Sequence, residues 1–173
     1  MTDTGYQYLD RLAKKGKYIP DVAVASGIIL EDQIFKALAL GAPYFKLVEM
    51  ARGPLAAAMV GKNIGRMIQE GQSLVYVSRF GRTIDEIFIT APELQQEYGK
   101  RFKDIPTGAM GLYTYMKRLE QGVRQLMAGA RKFSLDHITR DDIAALTHEA
   151  AELSGIKYIM NVDKEEAAKI LNA

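Results

Sequence analysis

The sequence contains no cysteine and no tryptophan, and only two histidines among its 173 residues. Without cysteine the chain has no disulfide, no thiolate nucleophile, no cysteine-ligated zinc and no cysteine-ligated iron–sulfur cluster of its own. The histidines, His137 and His148, have no nearby cluster of carboxylates that would complete a ligand set. They are therefore interpreted as structural residues, and no metal site is predicted.

The sequence also lacks a strong excess of charge of one sign and a long apolar run. Twenty-three Lys and Arg residues against 21 Asp and Glu residues leave a net charge of +2, so neither nucleic acid nor an anionic membrane is predicted as a partner. No stretch approaches the roughly 20 apolar residues that span a bilayer. Residues 2–17 are polar and lack the apolar centre of a signal peptide. We expect a soluble, cytoplasmic protein.

Familiar catalytic motifs are absent as well. The sequence has no Gly-x-Ser-x-Gly elbow, no P-loop spacing around Gly61 and no paired carboxylates suited to acid–base chemistry. The basic residues Lys117, Arg124 and Arg131 recur every seven positions and are joined by Arg118 and Lys132, which suits an anion- or nucleic-acid-binding face, a solvated flank, or a surface that pairs with the acidic segment at 134–173. We favour the flank, because no aromatic residues alternate with these charges to stack bases.

The first third of the chain has the pattern of one βαβ unit. Residues 21–25 form an apolar run without polar alternation, which predicts a strand covered on both faces. Residues 30–40 predict a helix that ends at Gly41, and residues 44–50 predict a second strand. A strand–helix–strand unit forces a parallel pair with a right-handed crossover. Because two strands cannot cover themselves, further strands must come from this chain or from another.

Helices are predicted for most of the remaining sequence. They cover residues 5–16, residues 54–69 with Gly61 and Gly65 placed for close backbone contact, and residues 164–171 after Asp163. Residues 73–80 predict a short extended segment, and residues 104–108 predict a turn.

Capping residues and apolar spacing predict the other helices. Capping-box spacing predicts that two short helices begin at Thr83 and Thr90, and the second is predicted to end at Gly99. Thr139 is predicted to cap a helix that runs to about Ser154 and stops at Gly155. One apolar seam predicts a long helix that packs on another: Leu112, Met116, Leu119, Val123, Leu126, Ala130 and Phe133.

The carboxyl ends of the two predicted strands carry the candidate ligand site. Ser26 and Gly27 follow the first strand, and Ala51, Arg52 and Gly53 follow the second. Ligands of parallel α/β proteins bind at this edge, where glycine lets backbone N–H groups approach an anion and arginine neutralises its charge. The alternative is that both glycines only make tight turns.

Four runs of sequence resemble the FMN-binding domain of the glutamate synthase family. Residues 25–42, which end in Lys-Ala-Leu-Ala-Leu-Gly-Ala, resemble its seventh strand, loop and helix, and Lys-Leu-Val-Glu-Met-Ala-Arg-Gly at 46–53 is similar to its eighth strand. Residues 105–113 and 125–132 resemble the helical tail of stand-alone, glutamate-synthase-like FMN proteins. The resemblance covers almost the whole chain.

The resemblance implies a fold, a cofactor and a role for five residues. The fold is α/β: the C-terminal fragment of a β/α (TIM) barrel, strands seven and eight, followed by a mostly helical tail. Residues 1–72 would be the partial barrel and residues 73–173 the helical region. FMN would bind with its phosphate on the backbone amides that follow both strands, which gives Ser26, Gly27, Ala51, Arg52 and Gly53 a phosphate role and favours phosphate binding over simple turns. The family activity is glutamate formation from 2-oxoglutarate and ammonia or glutamine.

Three departures from the family limit this expectation. Ser26-Gly27 stands where many relatives have Gly-Gly, the cysteines of the family's iron–sulfur cluster are missing, and six of eight barrel strands are not in this chain. A complete barrel needs about 250 residues. We therefore expect part of an FMN-dependent oxidoreductase, inactive alone and without a catalytic residue that can be named, in a homo-oligomer or in a complex with a chain that supplies the other strands. The alternative is a non-catalytic, self-associating assembly module.

Overall fold

The computed structural model describes residues 2–72 and 78–172, and within them the fold is α/β with a small sheet and many helices. The predicted extended segment at 73–80 lies mostly outside these residues. The helices α1–α8 and strands β1 and β2 follow one another in this order: α1 (Thr2–Lys14), β1 (Val22–Ala25), α2 (Glu31–Gly41), β2 (Phe45–Glu49), α3 (Arg52–Gln69), α4 (Ile84–Ile87), α5 (Ala91–Tyr98), α6 (Thr107–Gly129), α7 (His148–Ser154) and α8 (Lys164–Leu171).

The predicted βαβ unit is confirmed. Strands β1 and β2 pair in parallel, with Val24 opposite Val48 and Ala25 opposite Glu49, and α2 connects them. No third strand joins this sheet among the described residues. The expectation that the first strand is covered on both faces is wrong, because only Val24 of β1 is buried. In β2, the apolar side chain of Leu47 is likewise uncovered, with 59% of its surface exposed.

The described residues form two compact units. The first is drawn from Met1–Ser26, Asp32–Glu49 and Val123–Ala173, and the second from Gly27–Glu31 and Met50–Gly122. Each has its own buried apolar cluster, which lowers its free energy by removing side chains from water. The cluster of the first unit is Phe35, Leu38, Ala39, Met127 and Ile138. The cluster of the second unit is Ile64, Phe88, Ala91, Leu94 and Met110. The proposed division at residue 72 stays a prediction.

One arginine connects distant parts of the first unit. The Arg140 guanidinium donates to the backbone carbonyls of Leu40 and Ser154, forms an ion pair with Asp3 at 3.0 Å, and lies 3.9 Å from the centre of the Tyr6 ring. Its side chain is 17% exposed. The planar fork of five N–H donors lets a single side chain satisfy two carbonyls and a carboxylate.

In the second unit, α3 and the start of α6 approach closely, as the glycines at 61 and 65 predict. A Cβ atom on Gly61 would lie 2.6 Å from the Thr107 carbonyl oxygen and 3.0 Å from the Gly111 Cα atom. A Cβ atom on Gly65 would overlap the side chain of Thr107. The backbones can meet here only because these positions carry no side chain.

The predicted caps have mixed outcomes. Thr83 and Glu86 form the expected capping box, Gly99 ends α5, and Gly155 ends α7 in a left-handed conformation. Thr90 is the N-cap residue of α5, as predicted, but its capping box does not form, because the Thr90 hydroxyl bonds the Thr114 hydroxyl at 2.7 Å.

Two helix boundaries also differ from the sequence predictions. The predicted turn at 104–108 already belongs to α6 from Thr107, and α6 ends at Gly129, so the last seam residue, Phe133, is 86% exposed. No continuous helix runs from Thr139 to Ser154. Instead, a short 3-10 turn covers Arg140–Asp142, and Ala145 forms a β-bridge with Tyr158. Helix α7 begins only after its N-cap residue, Thr147.

Candidate functional site

The carboxyl ends of β1 and β2 lie at one edge of the sheet, because the strands are parallel and Ala25 is paired with Glu49. Ser26 directly follows β1 and is exposed. Gly27 comes next, with a φ of +42° and nothing within 4 Å of the position that a Cβ atom would take. The predicted turn after β1 is therefore present, and it is open to a ligand at Gly27.

The residues after β2 form the beginning of a helix. Ala51 is the N-cap residue of α3, and Arg52 and Gly53 are the first two residues of the helix. No side chain accepts a hydrogen bond from the backbone N–H groups of this first turn. Unbonded N–H groups and the helix dipole favour an anion at such an end. Arg52 is exposed and forms no ion pair with a residue in the ranges 2–72 and 78–172, so its charge is not neutralised there.

Tyr115 of α6 joins this site, and sequence reasoning missed it. Its hydroxyl donates to the Ile29 carbonyl oxygen at 2.6 Å. A Cβ atom on Gly53 would lie 2.5 Å from the Tyr115 hydroxyl oxygen and 3.1 Å from Ile29 Cγ2. The residues that follow Gly27 thus pack against the first turn of α3 beneath one tyrosine. Position 115 carries no motif, and the only sequence signal is a polar aromatic residue within the long helix.

The surroundings of Tyr115 keep its hydroxyl protonated. Burial raises the pKa of Tyr115, the negative charge of Glu31 raises it further, and Arg118 opposes the rise. One oxygen of the Glu31 carboxylate is buried and has no hydrogen-bond partner within the described part of the chain. A raised tyrosine pKa preserves the donor, since the unperturbed value is already about 10.

The other candidate residues do not gather into a site. Lys117 forms an ion pair with Glu93 at 3.1 Å, and Lys132 forms one with Asp142 at 3.6 Å. The partner of Lys132 belongs to the acidic segment at 134–173, whereas the partner of Lys117 does not. The His148 ring stacks on Tyr158 at 4.0 Å. In the described part of the chain, no three His, Asp or Glu side chains are grouped to hold a metal ion.

Comparison of the chain with protein-family models, with curated proteins and with solved structures found no match. No helix within residues 2–72 and 78–172 has the length and apolar character needed to cross a membrane.

Proposed function

We propose that the chain is the C-terminal part of a glutamate-synthase-like, FMN-dependent oxidoreductase and contributes the binding site of the flavin phosphate. In this proposal β1 and β2 are the last two strands of a TIM barrel, and residues from 73 onward are its helical tail. When bound and reduced, the flavin would supply the two electrons that convert 2-iminoglutarate to glutamate. The residues of this chain bind and orient the phosphate.

The observation that carries the proposal is the meeting of two anion-binding features in the residues that follow β1 and β2 along the chain. Gly27 has an open turn in the left-handed region, and the first turn of α3, which no side chain caps, contains Arg52, a cation without an ion-pair partner among the described residues. Backbone N–H groups at a turn and at a helix start, with one nearby positive charge, suit a phosphate dianion. These residues fit the phosphate of FMN, and in this proposal the flavin ring is held by the strands that precede β1.

The exposed sheet supports the view that other strands complete the barrel. Each of β1 and β2 has one edge that pairs with no described strand, and Leu47 is mostly exposed. Free edges and uncovered apolar side chains are costly for a parallel sheet, which is normally covered on both faces. A second chain with the remaining strands would pair with the free edges and cover the exposed apolar side chains.

Flavin binding tests this proposal. The purified chain should retain little FMN, because it lacks the residues that hold the ring, and it should be inactive alone. Mixing it with a polypeptide that supplies the six preceding strands should give a yellow complex with flavin absorbance that co-elutes with both chains. Arg52→Ala should lower flavin retention in that complex by about tenfold, since a charge-assisted bond to phosphate is lost. Lys100→Ala, which removes an exposed lysine of the tail, is the matched control and should leave retention unchanged.

Failure of every such combination to retain FMN would exclude the proposal.

The same exposed strand edges favour a second candidate, a non-catalytic module that self-associates. Two copies could pair along the free edges of β1 and β2 and bury the exposed Leu47. Size-exclusion chromatography with light scattering should then give a stable dimer or larger oligomer without flavin. A monomer at micromolar concentration would argue against this module.

A further inference from the structure

We propose that Tyr115 is a positioning residue: it holds the turn after β1 against the first turn of α3, so that the backbone amides of Gly27 and Gly53 face one phosphate. This inference rests on the proposed function and names a residue that neither the strand pattern nor the glycine spacing indicates.

One atom of Tyr115 contacts both turns. The hydroxyl bonds the carbonyl oxygen of Ile29, two residues after Gly27, at 2.6 Å. The same oxygen lies over the Cα atom of Gly53, where a Cβ atom would approach it to 2.5 Å. Loss of the hydroxyl removes the hydrogen bond from α6 to the Ile29 carbonyl, and a side chain at position 53 would push the two turns apart. Either change should disturb the backbone amides of Gly27 and Gly53.

The scaffold around Tyr115 suits a positioning role. Tyr115 lies inside the 23-residue helix α6, so its backbone is held by helical hydrogen bonds on both sides. The ring has only two side-chain torsions and is half-buried, and it can hold its hydroxyl in place at low entropic cost. Sites on rigid helices keep ligand-binding groups in a more uniform geometry than sites on loops alone.

Tyr113 provides a matched control on the same helix. Its hydroxyl donates to the Glu93 carboxylate at 2.8 Å, and its ring lies near Lys117. Tyr113→Phe and Tyr115→Phe therefore each remove one oxygen and one hydrogen bond from α6. Only the second removes a bond to the turn that carries Gly27.

The test combines amide hydrogen exchange with titration of the full chain by inorganic phosphate. In Tyr115→Phe, exchange of the amides at 27–31 should accelerate about fivefold, which corresponds to the loss of one hydrogen bond, while Tyr113→Phe leaves it unchanged. In wild type, millimolar phosphate should shift the amide resonances of Gly27 and Gly53 together. Tyr115→Phe and Gly53→Ala should each weaken that response about three- to tenfold, with wild-type circular dichroism.

Each outcome has one interpretation. Equal exchange at 27–31 in both phenylalanine variants would overturn the role of Tyr115, as would an unchanged phosphate affinity in Tyr115→Phe. If wild type gives no response at Gly27 and Gly53 although exchange depends on Tyr115, the tyrosine still fixes the turn, and the phosphate site of the proposed function fails. A joint response in wild type that is lost in Tyr115→Phe supports both.

Discussion

Replacing Arg140 with methionine is expected to lower the free energy of unfolding by about 1–3 kcal/mol, the cost of leaving hydrogen-bond acceptors unsatisfied at a half-buried site. Methionine fills similar space but leaves the Leu40 and Ser154 carbonyls without their donor and Asp3 without its cation. It also removes the contact with the Tyr6 ring. Urea unfolding followed by circular dichroism measures the change.

Two further variants make this prediction specific. Arg140→Lys keeps the charge, but a single ammonium cannot reach three acceptors with the geometry of a guanidinium fork, so it should restore less than half of the loss. Lys157→Met removes an exposed cation that lies 3.6 Å from Asp141, and it should change the free energy of unfolding by no more than about 0.5 kcal/mol. Similar losses in Arg140→Met and Lys157→Met would contradict the network at Arg140.

Replacing Gly61 with alanine is expected to lower the free energy of unfolding by about 1–3 kcal/mol, as overpacking does. An alanine inside a helix normally stabilises it by about 0.5–1 kcal/mol relative to glycine. Here the new methyl group meets the Thr107 carbonyl oxygen and the Gly111 Cα atom, which are backbone atoms and cannot rotate away. The steric cost should therefore exceed the gain in helix propensity.

The same substitution at the end of α6 should have no such cost. Gly129 is the last residue of α6, and no atom of residues 2–72 and 78–172 outside its own helix turn lies within 4 Å of the position of an added Cβ atom. Gly129→Ala should leave the free energy of unfolding unchanged or raise it by up to about 1 kcal/mol. Thermal and urea unfolding of both variants, side by side, would refute the close approach of α3 and α6 if both alanines stabilised the chain.

The elements that sequence reasoning predicted well are those specified by local pattern. The helices at 5–16, 30–40, 54–69 and 164–171 and both strands lie where apolar periodicity and glycine stops place them, within a few residues. The parallel pairing also followed, because a strand–helix–strand unit leaves no other simple topology. Local signals suffice when each one favours the same structure.

The errors occur where distant residues decide the local structure. Thr90 has the spacing of a capping box, but its hydroxyl forms a hydrogen bond with the hydroxyl of Thr114, 24 positions later. The segment after Thr139 does not stay helical, because Ala145 exchanges two backbone hydrogen bonds with Lys157 and Ile159. The candidate site shows the same limit, since Ile29 and Tyr115 lie 86 positions apart. A single sequence carries no signal for such a pair.

The discontinuity of the first unit has a consequence for synthesis on the ribosome. Asp3 and Arg140 are 137 positions apart, and the apolar cluster around Phe35 needs Met127 and Ile138. At about 5–20 residues per second, the N-terminal strands wait on the order of ten seconds for these partners. During that interval α2 and β2 expose apolar surface that chaperones recognise. The nascent chain should therefore depend on such protection more than its modest length suggests.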